Sequence, residues 1–318
     1  MATGKAYLKP VSERKGVRTQ SRGRFRQELP LYIMLAPAVV LVLIYSYAPM
    51  VGIAMAFQRV LPGRGLFGSP WVGFDNFLFM LEMPNIGQVI WNTIRIAGLK
   101  AIAGVFVPVT VALMLNNVTQ HFFKRFVQTV IYLPHFLSWI ILAGIFVEIL
   151  SPSEGVVNQM LGLVGIRPVF FLGDEKIFPW TMVATDVWKS FGFGTIIYLA
   201  ALTDIDPTLY EAAVVDGASR WQQTWHVTLP GIVGTIIMLS TLSLSNILNA
   251  GFDQIFNLYS PLVYSTGDII DTLVYRIGIL NYQYGVATAV GLFKSLVSLL
   301  LIGIAYKAAA KWAGYRIF

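Results

Sequence analysis

The chain has 318 residues, of which 56% are hydrophobic and only 12% are charged, and its mean hydropathy is +0.67. Soluble domains carry roughly twice that share of charged residues, so this composition indicates an integral membrane protein. The sequence contains no cysteine, which excludes a disulfide framework, a thiolate metal site and a cysteine nucleophile.

The formal net charge of +7 is distributed unevenly along the chain. Eight of the 23 Lys and Arg residues precede Leu29, in a segment that is also rich in Gly, Ser and Gln. Such a segment before a first membrane helix is typical of a cytoplasmic basic tail and not of a nucleic-acid-binding arm. We therefore predict a tail over residues 1–28 and a single transmembrane domain over residues 29–318, with no nucleic-acid partner.

Hydrophobic runs predict an all-α protein with six membrane-spanning helices, because about 20 apolar residues in a helix cross the hydrocarbon core. With the N-terminus inside, the inner segments carry 14 Lys and Arg residues and the outer loops carry 5. The positive-inside rule then predicts that both termini are cytoplasmic. The predicted spans are residues 31–57, 89–116, 126–150, 179–202, 229–250 and 286–306.

The inner link between the fourth and fifth predicted spans contains a polar stretch, EAAVVDGASRWQQTWHVTLP, from Glu211 to Pro230. Asp206 and Pro207 predict the start of a short helix, with Asp as the cap and Pro at the first helical position. Gly217 is suited to ending that helix or to letting another backbone come close. The small and acidic residues of this link fit two interpretations equally well, which are a docking element and a solvated cytoplasmic linker.

The stretch LYEAAVVDGASRWQQTWHVTLP resembles the EAA motif of ABC importer permeases, with Gly four residues after the second Ala and Leu-Pro twelve residues beyond that Gly. The segments GSPWVGFDNF, FKRFVQTVIYLPHFLSW and YGVATAVGLFKSLV extend the resemblance over about residues 29–312. It is closest to the carbohydrate-uptake class, and within it to the polysaccharide and oligosaccharide permeases that include alginate importers.

This resemblance implies a transport subunit, not an enzyme, in the inner membrane of a bacterium. The implied partners are a second homologous permease, two ATPase subunits that bind ATP and Mg, an extracytoplasmic solute-binding protein, membrane lipid and an oligosaccharide. No cofactor is expected on this chain. The resemblance also implies a coupling helix over about residues 208–220 that docks on the ATPase through Glu211, Ala212, Ala213, Asp216, Gly217 and Ala218.

Other functions would require residues of other kinds. The sequence lacks the G-x-x-x-x-G-K-[S/T] loop that cradles phosphates, so ATP hydrolysis is expected on another chain. Asp204-Ile-Asp206 has the D-x-D form of a metal–nucleotide site and keeps a membrane glycosyltransferase as one alternative. His121, His135 and His226 are far apart in sequence and predict no zinc site. A secondary sugar transporter that needs no ATPase is the other alternative.

The predicted spans contain ionisable residues, and the basic ones exceed the acidic ones by two, which favours an acidic cargo. The opposing interpretation is structural pairing, such as Asp186 with Lys294. A sugar site also needs aromatic faces and hydrogen-bonding groups. Two roles fit Ser243 and Asn246: they line the pathway, or they form hydrogen bonds between helices. The ionisable residues are Arg95, Lys100, Glu148, Asp186, Lys189 and Lys294, and the predicted substrate pathway comprises Trp188, Lys189, Phe191, Phe193, Ser243, Asn246 and Lys294.

Overall fold

The computed structural model describes residues 21–61, 63–244 and 248–313. Over these residues the chain forms α-helices with short 3-10 and π turns and no β-strand, as the composition predicted. The α-helices are α1 (Ser21–Val42), α2 (Gly65–Gly68), α3 (Asp75–Glu82), α4 (Ile86–Asn116), α5 (His121–Tyr132), α6 (Trp139–Ile149), α7 (Val156–Leu163), α8 (Phe178–Thr203), α9 (Pro207–Val215), α10 (Arg220–Gln223), α11 (Leu229–Leu244), α12 (Phe252–Leu258), α13 (Tyr264–Gly267), α14 (Ile270–Tyr275) and α15 (Tyr284–Ala313).

The chain divides into two compact units, Met1–Gly52 and Ile53–Phe318. In the first unit, α1 runs on through a π turn at Leu43–Tyr47. The side chains of residues 29–51 are exposed, and most of them are apolar. A helix that is apolar on all its faces is suited to lipid surroundings.

In the second unit, α4 and α8 form the central helix pair, and three apolar clusters pack around them. The approach of α5 to α8 is close enough to require glycine. A Cβ atom on Gly192 of α8 would lie 2.0 Å from the backbone oxygen of Ile131. Small residues allow such close contacts between helices that share a membrane environment.

Four helical segments of the described residues are long and apolar enough to cross a membrane: Glu28–Phe57, Ile86–Asn116, Arg220–Ser243 and Tyr284–Ile304. They overlap the predicted first, second, fifth and sixth spans. The fourth predicted span forms α8, a helix of 26 residues that is long enough to cross but less apolar. The count of six spans and the placement of both termini inside stay predictions.

The third predicted span, residues 126–150, is not one continuous helix. Its two parts, His121–Phe136 and Trp139–Ile149, meet at an angle of 106° and together count as a possible fifth crossing. Pro134 has no backbone N–H to continue the hydrogen-bond ladder, and the Ser138 side chain accepts a 3.4 Å hydrogen bond from the backbone N–H of Ile141 at the start of α6. A proline followed by a helix cap explains the break.

Candidate functional site

The helix α9 begins where the sequence predicted. Asp206 is the N-cap, and its side chain accepts a 2.9 Å hydrogen bond from the backbone N–H of Thr208, while Pro207 takes the first helical position. The hydrogen bond from Thr208 stabilises the ionised carboxylate and lowers the pKa of Asp206 below its usual value. Asp206 is therefore negatively charged at neutral pH and caps the helix in that form.

The end of α9 is a Schellman motif built on Gly217. This glycine has a φ of +76°, in the left-handed region that favours glycine. The backbone N–H of Ala218 donates to the Ala213 oxygen at 2.9 Å, and that of Gly217 donates to the Val214 oxygen at 3.0 Å. Apart from its neighbours in the chain, no atom of the described residues lies within 4 Å of where a Cβ atom on Gly217 would stand, so its outer side is open.

Two contacts attach α9 to the beginning of α11. The hydroxyl groups of Tyr210 and Thr228 lie 3.1 Å apart and share a hydrogen bond. Ile205, just before α9, packs so closely on Gly231 that a Cβ atom there would lie 2.8 Å from the Ile205 Cδ1 atom. A movement of α9 would therefore be passed directly to the N-terminal turns of α11.

The structure brings five of the six predicted coupling residues together on one surface. These five (Ala212, Ala213, Asp216, Gly217 and Ala218) line a cleft of about 410 Å³ between α9 and α10, whereas Glu211 is exposed on another face of α9. Apolar side chains are exposed on the same helix, and Val215 is 86% exposed. We call the exposed face of α9, from Leu209 to Ala218, the α9 surface. Its mixture of exposed apolar groups and carboxylates is typical of a protein-binding surface.

The four predicted pathway residues of α8 lie in the middle of that helix. The Nζ atom of Lys189 donates a 3.0 Å hydrogen bond to the backbone oxygen of His135. The Phe193 ring stacks on the His135 ring, with centroids 4.4 Å apart and planes 8° apart. The exposed Trp188 meets Phe146 edge to face, and Phe191 is half-buried.

Two further predicted pathway residues, Lys294 and Ser243, have other partners. Lys294, on α15, donates a 2.5 Å hydrogen bond to Asp271 and forms an ion pair with it. Ser243 lines a largely apolar groove of about 870 Å³ between α4 and α11, and its hydroxyl donates to the Leu239 backbone oxygen. Asn246 lies outside the described residues.

The predicted pairing of Asp186 with Lys294 is wrong, because a different lysine reaches Asp186. Lys100 of α4 is buried, and its Nζ atom lies 3.5 Å from a carboxylate oxygen of Asp186. The same ammonium group donates to the Ala250 backbone oxygen at 2.6 Å and to the side-chain oxygen of Gln254. Lys294 pairs with Asp271 instead, because α15 packs against α14.

Gln254 completes this buried network and was not predicted from the sequence. It is fully buried, and its Nε2 atom donates to the Thr185 hydroxyl at 2.7 Å and to the Met182 backbone oxygen at 2.8 Å. We call Lys100, Asp186, Thr185 and Gln254 the Lys100 network. It joins α4, α8 and α12, and it satisfies both charges inside the helical unit.

His135 and Trp139 were also missed as neighbours of the predicted pathway. Both lie beside the break in the third predicted span, and this break brings them to Lys189. The sequence predicted the span but not the break. Among the described residues, no group of three or more His, Cys, Asp or Glu side chains could hold a metal ion.

Comparison with known proteins identifies the family. The family model described as "Binding-protein-dependent transport system inner membrane component" matches residues 102–313, which is more than half of the chain. The chain belongs to this family. The chain is a multi-pass inner membrane component, and this family together with the polysaccharide-transporting relatives described next confirms the resemblance to ABC importer permeases of the carbohydrate class.

Relatives with curated names and solved structures match over nearly the whole chain. The chain is 38% identical to the polygalacturonan/rhamnogalacturonan transport system permease protein YteP of Bacillus subtilis (strain 168), over 92% of this chain and 91% of that protein. A chain of a bacterial ABC transporter involved in the import of the acidic polysaccharide alginate superposes with a TM-score of 0.85 at 40% identity, covering 92% of this chain and 99% of that one. A chain of a bacterial alginate ABC transporter, in complex with an alginate pentasaccharide-bound periplasmic protein, gives a TM-score of 0.83 at 39% identity, covering 91% and 96%.

Proposed function

We propose that this permease carries acidic oligosaccharides into the bacterial cytoplasm by alternating access, driven by ATP hydrolysis on two separate ATPase subunits. ATP and Mg bind to those subunits and not to this chain. A second, homologous permease completes the membrane part, and an extracytoplasmic solute-binding protein delivers the cargo. In this arrangement the chain crosses the membrane six times with both termini inside, and α9 lies on the cytoplasmic side.

The observation that carries this proposal is the exposed α9 surface between α8 and the apolar segment Arg220–Ser243, which are both long enough to cross a membrane. Its nine-residue helix is capped at one end by Asp206 and closed at the other by Gly217. Val215 at its end is 86% exposed. A helix with an apolar, open surface outside the membrane is suited to a cleft on another protein.

Contacts around α9 suggest how work done by the ATPase reaches the cargo pathway. The hydrogen bond between Tyr210 and Thr228 and the packing of Ile205 on Gly231 link α9 to α11. The helix α11 in turn packs against α4, α8 and α15. A shift of the docked α9 would therefore tilt α11 relative to the α4–α8 pair, which is the kind of rigid-body change that alternating access needs.

An acidic cargo is supported by two kinds of evidence. The relative YteP is named for polygalacturonan and rhamnogalacturonan, and the structural relatives belong to transporters of the acidic polysaccharide alginate. In this chain, the ammonium group of Lys189 has no carboxylate within ion-pair distance in the part that the structure describes. An unpaired cation in a membrane helix is costly, and a carboxylate on the cargo would offset that cost.

The alternative functions have less support. In the D-x-D form at Asp204 and Asp206, the second carboxylate already accepts the hydrogen bond that caps α9, so a glycosyltransferase metal site would have to break that cap. A secondary transporter would leave the α9 surface without a partner.

Affinity purification of the tagged chain from its native membrane tests the proposal. We expect an ATPase chain and a second permease to co-purify, and ATP hydrolysis by this assembly to rise when the loaded solute-binding protein is added. Purification of the chain without any ATPase, while it still transports sugar in vesicles under an ion gradient, would favour the secondary transporter.

A further inference from the structure

Lys189 differs from the other two lysines of the predicted spans in having no acidic partner. Lys100 is paired with Asp186, and Lys294 is paired with Asp271. Lys189 uses one N–H to bind the His135 backbone oxygen, and its other two donors have no partner among the described residues. It lies eleven residues beyond Phe178, the first residue of α8, or about 17 Å along the helix, which is near the membrane midplane in the proposed topology.

The Trp139 ring contacts this ammonium group, and two aromatic residues close to Lys189 in α8 are exposed. The Nζ atom of Lys189 lies 5.6 Å from the centre of the Trp139 ring, close enough for a cation–π contact. Phe193, one helical turn further along α8, stacks on His135 and remains 46% exposed. Trp188, which directly precedes Lys189 in α8, is 45% exposed. Phe193 and Trp188 therefore both keep exposed ring surface on the helix that carries the cation.

The break between α5 and α6 holds this arrangement in place. It turns the backbone at His135, so that a carbonyl oxygen freed from the helical ladder accepts the hydrogen bond from Lys189. Among the described residues, the Nδ1 atom of His135 is buried and has no hydrogen-bond partner. A buried polar atom without a partner is uncommon in folded proteins.

We propose that Lys189, His135, Trp139, Phe193 and Trp188 form a subsite for one uronic acid residue of the cargo. The ammonium group of Lys189 binds the sugar carboxylate, and the sugar ring lies on the exposed faces of Phe193 and Trp188. A bound carboxylate supplies the counter-charge that Lys189 lacks, while the aromatic faces bind the apolar side of the ring. This inference rests on the proposed function and names the chemical group that the pathway recognises.

Cysteine protection tests the subsite directly, because the chain has no cysteine of its own. Ser190 is exposed and adjacent to Lys189, so Ser190→Cys places a thiol beside the subsite. In the reconstituted complex, its rate of reaction with a maleimide is measured on this chain after gel separation. The ligands are trigalacturonate, trimannuronate and the methyl ester of each. The methyl esters have the same chain length and glycosidic linkage as the acids but carry no charge.

We expect at least one acidic trisaccharide to slow the reaction about threefold or more at saturation, and its methyl ester to have little effect. Adding Lys189→Met should raise the concentration for half-protection at least about tenfold, which corresponds to about 1.4 kcal/mol. Lys189→Arg, which keeps the positive charge, should retain protection. Lys176→Met is the control, because Lys176 is an exposed lysine on a predicted outer loop with no place in the predicted pathway, and it too should retain protection.

Three results would overturn the subsite. They are the absence of protection by either acid, equal protection by the methyl ester, and protection that survives Lys189→Met. ATP hydrolysis by the same preparation separates this failure from that of the proposed function. An active ATPase in the complex without ligand protection rejects the subsite alone, whereas a preparation without any ATPase rejects the transport mechanism.

Discussion

Lys100 is a charged residue whose role depends on burial and on its partners. Its side chain is buried among α4, α8 and α12, where an unpaired ammonium group would be very costly. Asp186, Gln254 and the Ala250 backbone oxygen together satisfy it. The chain near Ala250 follows the end of α11 and turns at Gly251, whose φ is +90°. Lys100 therefore fixes the position of this turn against the central helix pair.

Replacing Lys100 by Met should destabilise the protein by about 3–5 kcal/mol, because it leaves the carboxylate of Asp186 partly buried without a counter-charge. The double variant with Asp186→Asn should recover part of that loss, since the unpaired charge is then removed as well. Equilibrium unfolding in mixed micelles measures both values.

The matched control for this prediction is Lys294→Met. Its ion pair with Asp271 has both side chains at least one-fifth exposed, compared with 8% for Lys100, so its loss should cost less. Equal destabilisation by the two variants would show that burial of the Lys100 network is not what makes it important.

Among the helices, α9 has local sequence features that determine both where it begins and where it ends. The cap at Asp206 and the left-handed Gly217 were both predicted from residue type, because these conformations depend on local chemistry. The helix is too short to be stable alone. Its attachment to α11 and, in the proposed complex, its ATPase partner would hold it in place.

Gly217→Trp should abolish ATPase stimulation and transport while expression and membrane insertion remain. The space where a Cβ atom would stand is open at this position, and a tryptophan would occupy the side through which the partner approaches. Stimulation of ATP hydrolysis by the loaded binding protein is the measurement.

Gly165→Trp is the control that separates backbone strain from docking. Gly165 also has a positive φ, of +79°, and open space where its Cβ atom would stand, but it lies on a predicted outer loop. Both variants strain the backbone similarly, so only Gly217→Trp should lose coupling. Loss of coupling in both, or in neither, would remove the docking role from α9.

The break between α5 and α6 shows what the sequence could not predict. The apolar run over residues 126–150 is long enough to span a membrane, and hydropathy alone does not reveal a 106° bend. Pro134 and Ser138 are the local signal, but proline is tolerated within membrane helices and so does not identify a break. The subsite around Lys189 depends on this bend, which is why His135 and Trp139 were missed.

Across the whole molecule, the sequence predicted the positions of the helices better than it predicted which side chains pair. The helix α8 spans Phe178–Thr203, against a prediction of 179–202, because its apolar run is bounded by polar segments. The partners of Asp186 and Lys294 were not predictable, since they depend on which helices pack together. No sequence feature indicated that Gln254 would be part of a buried network, because a single glutamine in a predicted loop is common.

The orientation of the chain in the membrane is testable with single cysteines in intact cells. Phe67→Cys and Leu163→Cys place thiols at positions that are 95% and 88% exposed on predicted outer loops. Both should react with a membrane-impermeant maleimide, whereas Gln222→Cys, exposed on the predicted inner side, should react only after the cells are opened. Reaction of Gln222→Cys in intact cells would put α9 outside and remove it from any cytoplasmic ATPase.

The central claim is that ATP hydrolysis on partner subunits drives transport through this chain. Its most direct test is uptake of a labelled acidic oligosaccharide into proteoliposomes that contain the complete complex, with the loaded binding protein outside and ATP inside. We expect uptake to require hydrolysable ATP, to persist in the presence of a protonophore and a sodium ionophore, and to disappear with Gly217→Trp. Uptake without ATP that collapses with the ion gradient would contradict the account.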